Sequence, residues 1–136
     1  MRTQKAISLA TIAVCVLLYG CGPTTIWSAE ARSPDGLWLA TAHTEQFSGP
    51  GNAGLYTIVD LKWLRGSKRV TEILSFDFNE DTPDKATVKM NWLTPTHLEV
   101  VYGGNPNLGF QVVKGAGIDI SVQHLSGGLT NGKNSK

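Results

Sequence analysis

The chain has 136 residues, with 12 Lys and Arg against 11 Asp and Glu, and a formal net charge of +1. A chain this close to neutral has no surface field of one sign that could grip nucleic acid or an anionic lipid surface. Its length suits a single domain with its own hydrophobic core.

An N-terminal secretory signal is predicted over residues 1–20. Arg2 and Lys5 give this segment a positive start, and an uncharged apolar run over residues 6–20 ends in a small residue just before Cys21. The run is shorter than the roughly 20 apolar residues that a permanent transmembrane helix needs. We therefore expect the signal to be cleaved.

The end of the signal, Leu18-Tyr19-Gly20-Cys21, resembles the lipobox of bacterial lipoproteins. The resemblance implies a diacylglyceryl thioether on Cys21, usually with an acylated amine carrying a fatty acid such as palmitate, and hence a membrane anchor. Tyr19 departs from the family pattern, which prefers a small or aliphatic residue, and an ordinary signal with a spare cysteine is the alternative. Gly22 replaces the aspartate of many inner-membrane lipoproteins, which favours the periplasmic face of the outer membrane in a cell with two membranes.

Cleavage and lipidation would change what the mature chain contains. Residues 1–20 carry two of the basic residues and none of the acidic ones, so their removal brings the formal net charge to minus one. Cys21 would remain as the one cysteine of the mature chain, and the lipid would consume its thiol. No disulfide is then expected.

The rest of the chain predicts a tether over residues 21–25, a β domain over residues 26–124 and a disordered tail over residues 125–136. Short stretches that alternate apolar and polar residues between glycine, proline and polar turns are typical of antiparallel strands. The predicted strands cover residues 25–32, 37–45, 55–64, 68–78, 87–92, 98–102, 110–113 and 118–123. No segment has helical periodicity with caps. We therefore expect an all-β fold, an antiparallel meander or a two-layer sandwich of seven or eight short strands.

Two neighbouring strands have alternation that assigns their faces. The inward residues of the first are Leu55, Thr57, Val59, Leu61 and Trp63, and those of the second are Val70, Leu74, Phe76 and Phe78. The same count points Glu72 inward, where an unpaired carboxylate would be costly. A β-bulge or an edge position is the expected explanation.

The turn Ser33-Pro34-Asp35-Gly36, followed by alternating apolar residues, resembles the hairpins of bacterial propeller repeats. Its one echo is Thr94-Pro95-Thr96-His97, and two such units cannot close a propeller, which needs at least about four blades. The stretches 33–36, 49–54 and 56–63 together are more similar to small, uncharacterised bacterial lipoproteins with this hairpin, a glycine-rich loop and a long alternating strand. That resemblance implies location and fold rather than activity.

The acidic loop is a candidate calcium site. Asp77, Asn79 and Asp81 place oxygen side chains at alternate positions, and Asp84 is close by. An EF-hand loop needs glycine at its sixth position and glutamate at its twelfth, where this chain has Thr82 and Val88. A solvated acidic turn is the more common structure of such a loop, so we expect no bound metal or other cofactor.

No motif in the chain predicts catalysis. Gly49, Gly51 and Gly54 lack the lysine and the following helix of a phosphate-binding loop. An enzyme hypothesis would need His97 or His124 within hydrogen-bond reach of a serine or carboxylate in a cleft. We therefore expect a protein that is not an enzyme.

Four tryptophans are many for so small a domain. Trp63 and Trp92 lie on apolar faces and are expected to fill the core. Trp38 lies on a strand whose two faces are both apolar, so that strand is central in a sandwich or its Trp38 face meets a partner.

The sequence supports two hypotheses of function. The first is a noncatalytic, membrane-anchored lipoprotein of the bacterial cell envelope that acts through protein or envelope contacts. The second is a periplasmic ligand-binding module that uses the loops 47–54, 79–86 and 103–109, with calcium as one ligand. The second requires these three loops to gather at one end of the sheet.

Overall fold

The computed structural model of the chain describes residues 22–49, 53–66, 69–78 and 88–125. The predicted signal, Cys21 and residues 126–136 of the predicted tail lie outside the described residues.

The described residues form nine β-strands and no helix, which confirms the all-β prediction. The strands are β1 (Thr24–Arg32), β2 (Trp38–Phe47), β3 (Gly54–Trp63), β4 (Val70–Phe78), β5 (Val88–Thr94), β6 (His97–Gly103), β7 (Asn107–Gln111), β8 (Lys114–Gly115) and β9 (Ile118–Leu125). Strand β1 therefore includes the last residues of the predicted tether, and β9 includes the first residue of the predicted tail. No helix in the described segments is long and apolar enough to cross a membrane.

The strands form two sheets that pack face to face. The five-stranded sheet has the order β1-β2-β3-β4-β7, and every neighbouring pair in it is antiparallel. The four-stranded sheet has the order β5-β6-β9-β8 and includes one parallel pair, β6 with β9. The chain leaves this sheet after β6, adds β7 to the other sheet and returns through β8. The described fold thus differs from the predicted sandwich by its ninth strand and its parallel pair.

The hydrophobic core lies between the sheets, and Phe76 of β4 is its largest fully buried side chain among the described residues. The Phe76 ring is fully buried, meets the Phe78 ring edge-on at 5.2 Å and stacks at 4.9 Å on Tyr102 of the opposite sheet. Aromatic pairs at these separations stabilise a fold by about 0.5–1.5 kcal/mol beyond the area they bury. Phe76 is therefore a main contact between the two layers.

The predicted alternation of β3 is confirmed for four of its residues. Its buried side chains are Leu55, Thr57, Val59 and Leu61, and each faces the opposite sheet. The Thr57 hydroxyl is paired with that of Thr44 on β2 at 2.8 Å, which supplies the hydrogen bond that a buried hydroxyl needs. Trp63, the fifth predicted inward residue, is only partly buried.

A β-bulge in β4 explains the orientation of Glu72. Val59 pairs with Leu74 and the next residue of β3, Asp60, pairs with Glu72, so Ile73 is the extra residue of β4. The Ile73 side chain is fully buried, and Glu72 is exposed. The bulge moves every residue before it to the other face. The prediction that Val70 points inward is therefore wrong, and its side chain is 56% exposed.

Strand β7 differs from its prediction in both position and environment. Residues 103–109 were expected to be a loop and residues 110–113 a strand, but the strand is Asn107–Gln111, and its five residues are all exposed. It pairs with β4 at the edge of the five-stranded sheet. The short apolar pattern around Leu108 and Phe110 is weak because this edge strand buries neither face.

The two ends of the sandwich carry different connections. At one end, here called the turn end, lie the turns after β1, β3, β5 and β8. Leu64 N donates to Leu37 O, which joins the turns after β3 and β1, and Asp119 N donates to Thr96 O, which joins the start of β9 to the turn after β5, each at 2.9 Å.

At the other end, the loop end, β2 and β4 end, because Phe47 pairs with Gly54 and Phe78 pairs with Leu55. Strand β6 ends there too, since Tyr102 pairs with Val88 at the start of β5, and Trp92 near the end of β5 binds Ala31 towards the turn end. The loops named in the second hypothesis therefore start from one end of the sandwich.

Trp92 joins the two sheets along one side. Its indole Nε1 donates to the Ala31 carbonyl of the edge strand β1 at 3.0 Å, and its ring packs against the core while staying partly buried. The expectation that Trp92 contributes to the core is therefore met at the edge of the core rather than at its centre.

A candidate binding pocket between two tryptophans

Trp38 and Trp63 lie opposite each other at the turn end. Trp38 is the first residue of β2 and Trp63 the last of β3, and the two are cross-strand partners. Their ring centroids are 4.8 Å apart with an interplanar angle of 61°, an edge-to-face pair. Both side chains are partly buried, so each indole keeps surface that a ligand can reach. Strand β2 lies between β1 and β3 and Trp38 packs against the core, so the alternative that this strand is central in a sandwich is confirmed. The other alternative, that the Trp38 face meets a partner, concerns the part of the indole that stays exposed.

The turn before β2 fixes the position of Trp38. The Trp38 amide donates to Ser33 Oγ at 2.9 Å, and Ser33 N donates to the Trp38 carbonyl at 3.0 Å. Ser33 Oγ in turn donates to Asp35 Oδ1 at 2.6 Å, and this bond, followed by one from the Leu37 amide, holds the pKa of Asp35 below its usual value. Gly36, with φ +70°, supplies the left-handed residue that the turn requires. Hydrogen bonds at both the amide and the carbonyl of Trp38 therefore fix its backbone against the turn.

The two indoles line a pocket of about 420 Å³ together with Arg69, Thr71 and Ala116. We call it the tryptophan pocket. Its residues come from both sheets, since Ala116 belongs to the tight turn between β8 and β9. Ala116 has φ +53°, a left-handed conformation that costs a residue with a side chain roughly 1–2 kcal/mol. The pocket is open to solvent, and its lining combines two indoles and a methyl group with one arginine and one threonine.

Arg69 gives the tryptophan pocket its charge. The side chain is exposed, and no carboxylate of the described residues forms an ion pair with it. Lys114, on the β8–β9 hairpin, forms an ion pair with Asp119, with 3.2 Å between Nζ and Oδ1. Arg69 is the one charged residue among those that line the tryptophan pocket, and its guanidinium can donate to an anionic group.

The three histidines lie apart from this pocket. His97 Nε2 is 3.0 Å from Ser121 Oγ on the outer face of the four-stranded sheet, so the histidine–serine pair that the enzyme hypothesis requires is present. Neither residue lines the tryptophan pocket or the loop-end pocket described below. His124 stacks on Tyr102 at 5.1 Å and donates to the Gly104 carbonyl. Among the described residues, no group of three histidine, cysteine or acidic side chains is arranged to hold a metal.

A second pocket lies at the loop end. It measures about 470 Å³, and its lining consists of Phe47, Ala53, Gly54, Leu55, Tyr56, Asp77 and Phe78. Asp77 is thus the one proposed calcium ligand that the structure describes, and its side chain is exposed. Asn79, Asp81 and Asp84, the other proposed ligands, lie outside the described residues.

The outer face of the five-stranded sheet holds a carboxyl group with a shifted pKa. Burial raises the pKa of Asp60 above its ordinary value of 3.8, and nearby Glu72 adds to the rise while His43 opposes it. A raised pKa means that ionised Asp60 costs stability at neutral pH, and that this cost disappears as the pH falls through the folded-state pKa towards 3.8.

We therefore expect Asp60→Asn to raise the melting temperature at pH 7. The increase should shrink as the pH falls through the raised pKa of Asp60 towards 3.8, because the carboxyl then becomes neutral in the folded protein. Melting curves of both proteins across this pH range measure the effect. A melting-temperature difference that stays constant from pH 7 to pH 4 would contradict the prediction.

Sequence reasoning found part of the tryptophan pocket. The sequence predicted either a central strand or a partner-binding face for Trp38 and a core position for Trp63, and it indicated no role for Arg69 or Ala116. The alternation of the two strands contained a usable signal, since it puts Trp38 on the face of Ala40 and Trp63 on that of Leu61, which are cross-strand partners. Comparison of the chain with protein-family models, curated proteins and solved structures finds no match.

Proposed function

We propose that the chain is a noncatalytic, membrane-anchored lipoprotein of the bacterial cell envelope that contacts another envelope component through the tryptophan pocket. The observation that carries this proposal is the position of the pocket at the end of the sandwich opposite the start of β1. Thr24, the first residue of β1, pairs with Gln46 at the loop end, whereas Trp38 and Trp63 lie at the turn end.

Distances along the chain give the orientation of the domain relative to the membrane. Thr24 follows Cys21 by three residues, which span at most about 10 Å. Strand β1 has nine residues and extends about 30 Å at roughly 3.3 Å per residue. A lipid on Cys21 would therefore hold the loop end near the bilayer, with the tryptophan pocket about 30 Å farther out. In that orientation the pocket is open to the envelope rather than to the lipid.

The chemistry of the pocket suits a contact site. Aromatic side chains and arginine are enriched among the residues that carry binding energy, especially where they line a preformed recess. Trp38 and Trp63 supply rigid apolar surface, and Arg69 supplies a charge at the same opening.

Single introduced thiols test this orientation, because lipidation of Cys21 leaves no other free thiol in the mature chain. In the anchored protein, a short thiol-linked photo-crosslinker is placed in turn at Ala53→Cys, at the loop end, and at Arg65→Cys, at the turn end. Both residues are exposed. We expect lipid adducts from position 53 and few from position 65. Equal lipid labelling from both positions would contradict the proposal.

The control for the anchor is Cys21→Ser in each labelled protein. This variant should move from the detergent phase to the aqueous phase and should lose its lipid adducts. Unchanged detergent partitioning would rule out the lipid anchor.

The loop-end pocket supports a second candidate function, a periplasmic ligand-binding module. Asp77 lines this pocket, and three loops start from the same end of the sandwich. If calcium binds at Asp77, Asn79, Asp81 and Asp84, it should raise the melting midpoint, since a ligand of the folded state stabilises it. Asp77→Asn should remove that rise. A midpoint that is the same with calcium and with a chelator would end the calcium hypothesis.

A further inference from the structure

We propose that the tryptophan pocket binds an acidic sugar, a pyranose ring that carries a carboxylate. The inference rests on the proposed function, which makes this pocket the contact site, and it names the chemistry of what is bound. It is carried by three features of the pocket: two angled indoles, an arginine without an ion pair among the described residues, and strands that have no free edge.

The indoles provide the surface for a sugar ring. A pyranose has a face of C–H groups with hydroxyls around its rim, and a flat indole is apolar across its face with one polar group at its edge. Trp38 and Trp63 contact each other edge to face at 61°, so the pocket is lined by two angled rings rather than by one flat platform. A sugar ring can stack on the exposed face of one of them. The volume of about 420 Å³ is sufficient for a ligand of this size.

The arginine selects a negative charge. Its planar guanidinium matches the two oxygens of a carboxylate, and such charge-assisted pairs are stronger than hydrogen bonds between neutral groups. Arg69 is exposed at the pocket opening and has no acidic partner among the described residues, whereas Lys114 is paired with Asp119. Thr71, the remaining polar lining residue, offers a hydroxyl that can donate to or accept from a sugar hydroxyl.

The position of the pocket in the sheet disfavours an extended peptide. Peptides commonly bind a sheet by adding a strand along an unpaired edge. Trp38 and Trp63 lie on β2 and β3, and both strands have a neighbour on each side. The backbone at the two indoles therefore presents no free edge, so recognition there depends on side chains.

Titration of the full lipidated protein in detergent with galacturonate tests the proposal, with galactose as the neutral ligand of the same ring shape. Tryptophan emission and chemical shifts of the indole N–H groups report binding at the pocket. We expect saturable binding of galacturonate, with galactose at least about tenfold weaker, a difference of about 1.4 kcal/mol. Trp38→Ala should weaken the binding of both ligands.

Two arginines at the turn end provide a matched pair of variants. Arg69→Gln should remove the preference for galacturonate over galactose, because only the charge at the pocket is lost. Arg65→Gln, which changes an exposed arginine that does not line the pocket, should leave the preference unchanged. Melting curves of each variant establish that the fold is kept.

Three results would overturn the proposal. They are the absence of saturable galacturonate binding, equal binding of galactose, and equal binding of an acetylated peptide with a free carboxyl terminus. Each would leave the proposed function standing if the crosslinking pattern at positions 53 and 65 is as expected. Conversely, galacturonate binding with equal lipid labelling at both positions would contradict the envelope orientation and support the sugar site.

Discussion

Replacing Phe76 with alanine is expected to lower the free energy of unfolding by about 3–5 kcal/mol. The Phe76 side chain is fully buried, and its ring contacts Phe78 of its own sheet and Tyr102 of the opposite sheet. Truncation removes apolar surface from the core and leaves a cavity between the layers that the paired strands cannot close. Urea unfolding of the parent and the variant measures this change.

Phe110→Ala is the matched control, since it removes the same atoms from an exposed strand. Phe110 lies on β7 with 44% of its side chain exposed. We expect this variant to change the free energy of unfolding by much less than Phe76→Ala. Similar losses from both variants would contradict the burial of Phe76 between the two sheets.

Ile73→Ala is expected to lower the free energy of unfolding by about 2–5 kcal/mol. Ile73 is the extra residue of the β4 bulge, and its side chain is fully buried. Its Cγ2 atom lies near the β8–β9 hairpin, where a Cβ added at Gly115 would come within 3.5 Å of it. The variant therefore loses contacts to both sheets, and denaturant unfolding with a global probe such as circular dichroism detects the loss.

Val70→Ala on the same strand tests the bulge directly. Simple alternation along β4 puts Val70 inside, whereas the bulge leaves it 56% exposed. We expect Val70→Ala to change the free energy of unfolding by no more than about 0.5 kcal/mol. If Val70→Ala were the more destabilising of the two variants, the register on which the bulge depends would be incorrect.

Several features of the fold could be predicted from residues close together in the chain. The Ser33–Gly36 turn has the expected hydrogen bonds, because proline, aspartate and glycine each favour one local backbone geometry. The side chains of β3 that face the core are four of those that the alternating sequence predicts, because side chains in a strand point to opposite faces in turn. The cost of burying Glu72 correctly pointed to a bulge or an edge. Lipidation of Cys21 and calcium binding at Asp77 remain predictions.

Features that depend on pairing between distant segments could not be predicted in the same way. The order of the strands in each sheet, the parallel pairing of β6 with β9 and the place of β7 in the five-stranded sheet are set by which segments meet in the folded core. The bond from Trp92 to Ala31 joins residues 61 positions apart. No local pattern encodes such a contact, since alternation gives the face of a strand but not its neighbour.

The sequence by itself therefore determined the class of the fold, the turn before β2 and the inward side of β3, because these follow from backbone preferences and side-chain burial within a few residues. The tertiary structure decided that Ile73 rather than Val70 enters the core. It also decided that Trp38 and Trp63 share a pocket with Arg69 and Ala116. The physical reason is that a pocket forms where separate segments fail to close completely against one another, which depends on register and packing across the whole sandwich.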